Sequence, residues 1–444
     1  MGLLSNIFGN KEEANQVMND KQIKFGRFVN YQRDASQQML WDKSLTHFDK
    51  DEYLDSFTAF LEYLSCGASK PVEQKNEGGR LEFRFFQGSK VIEGYCDGMT
   101  VRAEAKIAGI KSMHISFLRR LMEQNYTFTY CRTGIDDANN IIMIFDTPLN
   151  DASPYKLYYA LKELSINADK QDDLLVDEFE SLSPVNIQHI SPVTEIEARV
   201  KTNFMKEKLK ALIEGLKDNT IPANNIPGAV SYLILSTVYK LDFLTCPEGK
   251  ITDIFERIHR KYFANDEKNT AQKNISMVKD LEEIVAMSDE KIASEFYITP
   301  GTFGIMPPIN HLQLVQYITN ELVNMDWYTQ NKYESIELAI CQYIISYSLF
   351  NYSLPEVDRD LFLFYFQIFE HTYFNDLGIG LPIWKDDNRP DLNEINKNIT
   401  QIVKNHQPQF ATLEVNTGLL NFESPTIFSK SYLNMILSMN VVYQ

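Results

Sequence analysis

Seven histidines (His47, His114, His189, His259, His311, His371 and His406), three Asp-Asp pairs (136–137, 172–173 and 386–387) and five cysteines are the side chains from which this 444-residue chain would build acid–base, metal or thiol chemistry. No two histidines stand three or four residues apart, so one helix face cannot offer a pair of imidazoles to a metal ion. His371 follows Glu370, but a site there would need distant partners, and a surface or capping histidine is the simpler expectation. The cysteines (Cys66, Cys96, Cys131, Cys246 and Cys341) are odd in number, with no Cys-x-x-Cys, which suits small buried thiols in a reducing cytoplasm better than a redox or zinc site. Neither Gly-x-x-x-x-Gly-Lys-Ser/Thr nor Gly-x-Ser-x-Gly occurs, so a phosphate cradle and a nucleophile elbow of those types are unsupported. Gly301-Thr-Phe-Gly304, followed by Pro307-Pro308, reads as a rigid loop. Asp136 and Asp137 fall in a hairpin loop and Asp172 and Asp173 on an acidic helix, and both pairs are expected to be solvated. The densest mixed cluster is Trp384-Lys-Asp-Asp-Asn-Arg-Pro390, in which Trp384, Asp386 and Asp387 are candidate partner contacts; the plainer alternative is a turn capping the next helix. No catalytic residue, cofactor or metal ligand set is assigned.

The elements that position these residues begin with residues 80–107. Leu81, Phe83 and Phe85 alternate with Glu82 and Arg84, and Val101, Ala103 and Ala105 alternate with Arg102, Glu104 and Lys106, with turns at Gly88-Ser89 and Asp97-Gly98. Period-two alternation between glycine turns predicts an antiparallel meander with one buried and one wetter face. Phe86, Arg84, Arg102, Glu104 and Lys106 then lie on the outward face, with Phe86 expected in an exposed recognition or dimer patch. A helix over 53–64 precedes the meander. A helix with Ile115, Leu118, Leu121 and Met122 on one face follows it, then strands over 128–132 and 141–145. Ser153-Pro154 opens a further helix as a cap followed by a first-turn proline, expected to continue towards Ser183. The economical arrangement is an α+β domain with a five-stranded antiparallel sheet and helices mainly on one face.

The order helix, three strands, helix, two strands, helix resembles the type III secretion chaperone-like fold, shared by secretion chaperones and the YbjN-like family. The resemblance is carried by the helix over 53–64, the meander over 81–107 and the strand over 141–145 leading into the helix from Pro154. It covers about 49–182 and rests on element order, with no invariant motif. It implies a bacterial, cytoplasmic, acidic, dimeric binder of other proteins, with no catalytic residue to carry over. Those proteins normally stand alone, whereas about 250 residues follow here.

Pro184 and Pro192 flank a polar connector, giving an N-terminal extension (1–48), the α+β domain (49–183), a linker (184–193) and an all-helical domain (194–444). Helical periodicity marks 194–217, 227–241, 251–262, 271–287, 311–325, 333–349, 357–374, 392–405 and 427–439. The nearly all-apolar run 361–369 should lie at the centre of that domain.

Sixty Asp and Glu against 43 Lys and Arg give a net charge of −17, which repels nucleic acid. No apolar run reaches the roughly 18–20 residues of a transmembrane helix, and residues 3–8 (Leu3 to Phe8) offer at most a weak docking segment for a membrane surface or a larger assembly. The expected function is a cytoplasmic, non-enzymatic protein-binding module of chaperone or adaptor type that buries a partner segment, or a second copy as a homodimer, against the sheet or between the domains. The alternatives are an enzyme using Asp386, Asp387 and His371 in the helical domain, and a structural subunit of a larger assembly.

Overall fold

The computed structural model describes residues 23–27, 35–65, 72–187, 189–218, 226–385, 389–410 and 412–442. Two helices, α1 (Ala35–Asp49) and α2 (Tyr53–Ser65), lead into strands β1 (Glu73–Glu77), β2 (Arg80–Gln87), β3 (Lys90–Cys96) and β4 (Thr100–Ile110). Helix α3 (Ile115–Asn125), strands β5 (Arg132–Ile135) and β6 (Asn140–Pro148), helix α4 (Pro154–Glu178) and strand β7 (Leu182–Pro184) complete the α+β part. All pairings in its sheet are antiparallel, in the order β1-β2-β3-β4-β6-β5, with β7 on the end of β4 that β3 leaves free. The sheet therefore has seven strands, two more than the alternation predicts. Charged β1 and three-residue β7 are too polar or too short to carry a period-two signal.

The turns and the core obey the sequence. Asp97 accepts hydrogen bonds from the backbone of Met99 and Thr100, closing the β3–β4 turn beside Gly98 at φ +85°. Inward residues of β2, β3, β4 and β6 pack under α2 and α4, with Phe57, Phe83, Phe85, Ile92, Phe145 and Leu161 all buried. Continuously apolar β6 is buried on both faces: Ile141, Met143 and Phe145 join the core, while Ile142 and Ile144 lie opposite Lys106 and Glu104 on the other. Gly94 faces Phe83 across the β2–β3 pair, and a Cβ there would come within 2.3 Å of the Phe83 ring.

Beyond the connector the chain is helical: α5 (Glu195–Lys217), α6 (Pro227–Thr245), α7 (Gly249–Phe263), α8 (Thr270–Ala286), α9 (Asp289–Ser294), α10 (His311–Val323), α11 (Met325–Gln330), α12 (Glu334–Asn351), α13 (Glu356–Phe369), α14 (His371–Asp376), α15 (Leu392–His406) and α16 (Pro425–Leu437). Strands β8 (Ser191–Pro192) and β9 (Tyr297–Ile298) form a small separate ribbon. All nine helices read from periodicity are present, and the one expected over 357–374 is broken at Glu370. That carboxylate is buried between Lys240 (2.6 Å) and Lys208 (2.7 Å), and its backbone leaves helical geometry to reach them. No described helix is long and apolar enough to cross a membrane.

The two parts are joined by a side chain from one lodged in the core of the other. Phe303, from the Gly301–Gly304 loop, is buried in the sheet's core, with its ring 5.7 Å from Phe85 and 5.4 Å from Tyr158. The buried Gln87 amide holds the same loop: its nitrogen donates to the Phe303 carbonyl (3.0 Å), and its oxygen accepts from the backbone N–H of Thr302 (3.1 Å) and Phe303 (2.8 Å). Gly88 N–H donates to the Pro300 carbonyl at 2.8 Å and Thr302 Oγ1 to the Phe86 carbonyl at 2.8 Å. Phe303→Ala is expected to cost about 3–5 kcal/mol, the range for a fully buried phenylalanine. Urea denaturation followed by fluorescence would measure it, and a loss under about 1 kcal/mol would show that the plug is not structural.

Candidate functional site

Two places merit a functional reading: the bare face of the sheet and a cavity at the seam between the two parts. On the bare face, Arg84 pairs with Glu73 (2.6 Å), Arg102 with Glu104 (3.1 Å) and with Asp146 (3.8 Å), and the Arg80 guanidinium lies 3.7 Å above the Tyr95 ring. With Lys75, Glu82 and Glu93 these residues, Asp146 apart, line a shallow groove of about 740 Å³ across β1–β4. Arg84, Arg102 and Glu104 thus come together as the alternation predicts, and Lys106 continues their row on β4.

Phe86 requires a correction. It sits on the outward row, yet it is only 7% exposed, because the connector folds back over it and brings His189 to 5.1 Å from its ring. Strand periodicity assigns the face and is silent about what else covers it. Trp384 is likewise part of the packing, stacked 4.3 Å from His371 and donating through Nε1 to the Ile368 carbonyl. Its surroundings are a turn, with Lys385 N–H bonded to the Arg389 carbonyl, before Asp391 caps α15. Asp386 and Asp387 lie outside the described residues, as do residues 3–8.

The seam carries the largest departure from the sequence expectation. Asp172 is not solvated: it is 5% exposed and meets Lys90, itself fully buried, at 2.7 Å, while Ser89 Oγ donates to the same carboxylate at 2.6 Å. Both positions were visible as anomalies. Lys90 falls on the inward row of β3 with Ile92, and Asp172 falls on the α4 stripe of Leu161, Ala168 and Leu175. Two opposite charges, each at a core position of its element, are accommodated most cheaply as a pair. Asp169, one turn earlier, accepts from Ser89 N–H at 2.6 Å. Gly88 (φ +53°) allows that approach, since a Cβ there would come within 2.1 Å of the carboxylate.

Around Asp169 and Asp173 opens a cavity of about 330 Å³, walled by α4, the β2–β3 turn, the first turns of α7, the 299–305 loop and the short segment holding Lys24 and Arg27. Arg27 is clamped by Asp242 and by Glu256 (3.0 Å), Lys170 also pairs with Glu256, and Tyr297 donates to Asp173 at 2.7 Å. The backbone of Glu248 bonds to Glu295 and Thr252, but its carboxylate makes no hydrogen bond or ion pair among the described residues. Its carboxylate and that of Asp169 lie deep in the seam but keep part of their surface open to the cavity. Burial pushes Asp169 up to about 8, reinforced by the charge of Glu248 and opposed by the Ser89 N–H. Burial pushes Asp172 up to about 8, reinforced by Asp173 and opposed by Lys90. Burial lifts Glu248 to about 7 against the pull of Lys24 and Arg27.

Among the described residues one trio places three potential metal-ligating atoms within 4.8 Å of one another: His47, Glu52 and Asp55, at the exposed α1–α2 corner. Its members are five and three residues apart across a helix–turn–helix junction, so a search for helical histidine pairs passes over it. No protein-family model, curated protein or solved structure matches the chain.

Lys90→Met alone should cost about 3–5 kcal/mol, because Asp172 is left buried without its cation, and adding Asp172→Leu should restore at least half of the loss. A double-mutant cycle in urea measures this, and additive losses would refute the pairing. The raised carboxyls also set a pH slope. A carboxyl with a higher pKa folded than unfolded holds its proton more tightly when folded, so its contribution is full below the unfolded value, roughly 4, and is lost as pH rises through about 7 to 8. The urea midpoint should therefore fall between pH 5.5 and 8.5, and the fall should shrink in Asp169→Asn and Glu248→Gln. A midpoint that rises across that range would contradict the assignment.

Proposed function

We propose that the chain is a non-catalytic protein-binding module of chaperone or adaptor type, and that its binding surface is the bare face of the sheet. The observation that carries this reading is the groove itself. It is open and shallow, lined by Arg80, Arg84, Arg102, Glu82, Glu93 and Glu104, and bordered by edge strand β1, whose outer side pairs with no described strand. An open groove of this kind cannot surround a small molecule, whereas an extended peptide can lie along it and exchange the internal ion pairs for pairs of its own. The exposed ion pairs stabilise the fold little, so breaking them for a partner costs little. The occupant we favour is an extended segment carrying both charge signs; a second copy of the chain is the other candidate. The resemblance of the order read from the sequence to chaperone-like folds is in keeping with this reading, and the four buried cysteines without a disulfide among the described residues suit a cytoplasmic setting.

Selection of displayed random peptides against the full chain tests this. Enriched peptides should carry alternating charge and lose at least tenfold in affinity for Arg102→Glu, while native mass spectrometry reports any homodimer. Selection yielding no enriched peptide, from a chain that is monomeric by mass, would remove the proposal.

A further inference from the structure

The seam cavity has features that a purely structural interface would not need. Its charged lining comprises five carboxylates (Asp169, Asp173, Glu248, Asp253 and Glu256) against three cations (Lys24, Arg27 and Lys170). Arg27 and Lys170 are already committed to Asp242, Asp253 and Glu256. Arg257 and Arg260 also pair with Asp253, and Arg260 with Glu256. Among the described lining residues the shortage of positive charge therefore falls on Asp169, Asp173 and Glu248, with Lys24 and Arg27 acting on Glu248 only through their field.

The described lining does not form a preformed all-protein metal cage. Among the described residues no three carboxylate or imidazole groups in this cavity lie within 4.8 Å of one another, so none converge on a single ion. A volume of about 330 Å³ also far exceeds a bare ion, and part of the wall is apolar, formed by Ile166, Leu174, Phe303 and Ile305. Separated carboxylates beside an apolar wall fit separated cationic groups joined by methylenes, with the chain against the wall and each ammonium against a carboxylate.

We propose that the seam cavity binds a small aliphatic amine with two or more ammonium groups, with Glu248 and Asp169 as the principal anions. The cavity exists before binding, because the Gln87 and Phe303 contacts fix the 299–305 loop against the sheet. Binding draws protons off the two carboxyls, since a neighbouring cation favours their ionised form. This inference is independent of the peptide groove, which lies on the other face of the sheet.

Isothermal titration of the full chain with 1,4-diaminobutane at pH 7, in two buffers of different ionisation enthalpy, is the direct test. The expected result is one saturable site with net proton release, at least tenfold weaker for 1-butylamine and for Glu248→Gln, and unaffected by equimolar magnesium. Ile305→Trp fills the cavity from its half-exposed rim without altering a charge, and it should abolish binding even if Glu248→Gln proves too disruptive to interpret. No saturable heat up to 10 mM diamine, equal affinity in Ile305→Trp, or displacement by magnesium would overturn the proposal.

Discussion

The structure depends on one aromatic ring crossing a boundary. Phe303 belongs by sequence to the helical part and by packing to the sheet's core, and the Gln87 amide fixes the backbone that delivers it. A buried amide whose oxygen takes two N–H groups and whose nitrogen finds a carbonyl satisfies most of its hydrogen-bonding capacity in one contact. The contact is therefore specific to one loop conformation. It places α7 beside α4, and from that juxtaposition the whole charged seam follows.

Buried charge is costly, and the seam limits that cost in stages. Lys90 and Asp172 are fully enclosed and paired. Burial opposes the charge of Arg27 and raises the pKa of Asp242, but each offsets the other, and Asp242 and Glu256 together hold the guanidinium above its ordinary value. Asp169, Asp173 and Glu248 lack a full complement of cations, and burial shifts them, as it does Asp172 despite Lys90, towards the neutral form. Replacing such groups by apolar residues of similar volume is often neutral or stabilising. Their presence beside an open volume, rather than in a packed wall, is what separates this seam from an ordinary interface.

How much of this was legible in the sequence depends on the range of the interaction. Elements whose identity is set by neighbours three or four residues away, such as the nine longer helices and the Ser153-Pro154 start of α4, follow from periodicity and capping alone. The meander follows from alternation, and so does the clustering of Arg84, Arg102 and Glu104. Phe86 shows the limit, because His189, about a hundred residues further on, determines its exposure. Phe303 lies further still beyond local reasoning: a Gly-Thr-Phe-Gly loop carries no sign of which core will receive its ring. The Lys90–Asp172 pair was available in principle, since each residue violates the polarity pattern of its own element. An acidic helix read as a solvated face hides that violation.

The two surfaces share strand β2 but face opposite ways. Arg84 points into the open groove, while Gln87, three residues on, points into the seam and is held there. Coupling between a peptide in the groove and a ligand in the cavity would require β2 to have two arrangements of comparable energy, one favoured by each occupant. The contacts argue for a single arrangement. The end of β2 is fixed by the Gly88–Pro300 and Thr302–Phe86 hydrogen bonds and by a phenylalanine whose removal from the core is costly, so a second register would break all of them together. On this geometry an occupant of the groove and one of the cavity would bind without coupling, on one fixed frame.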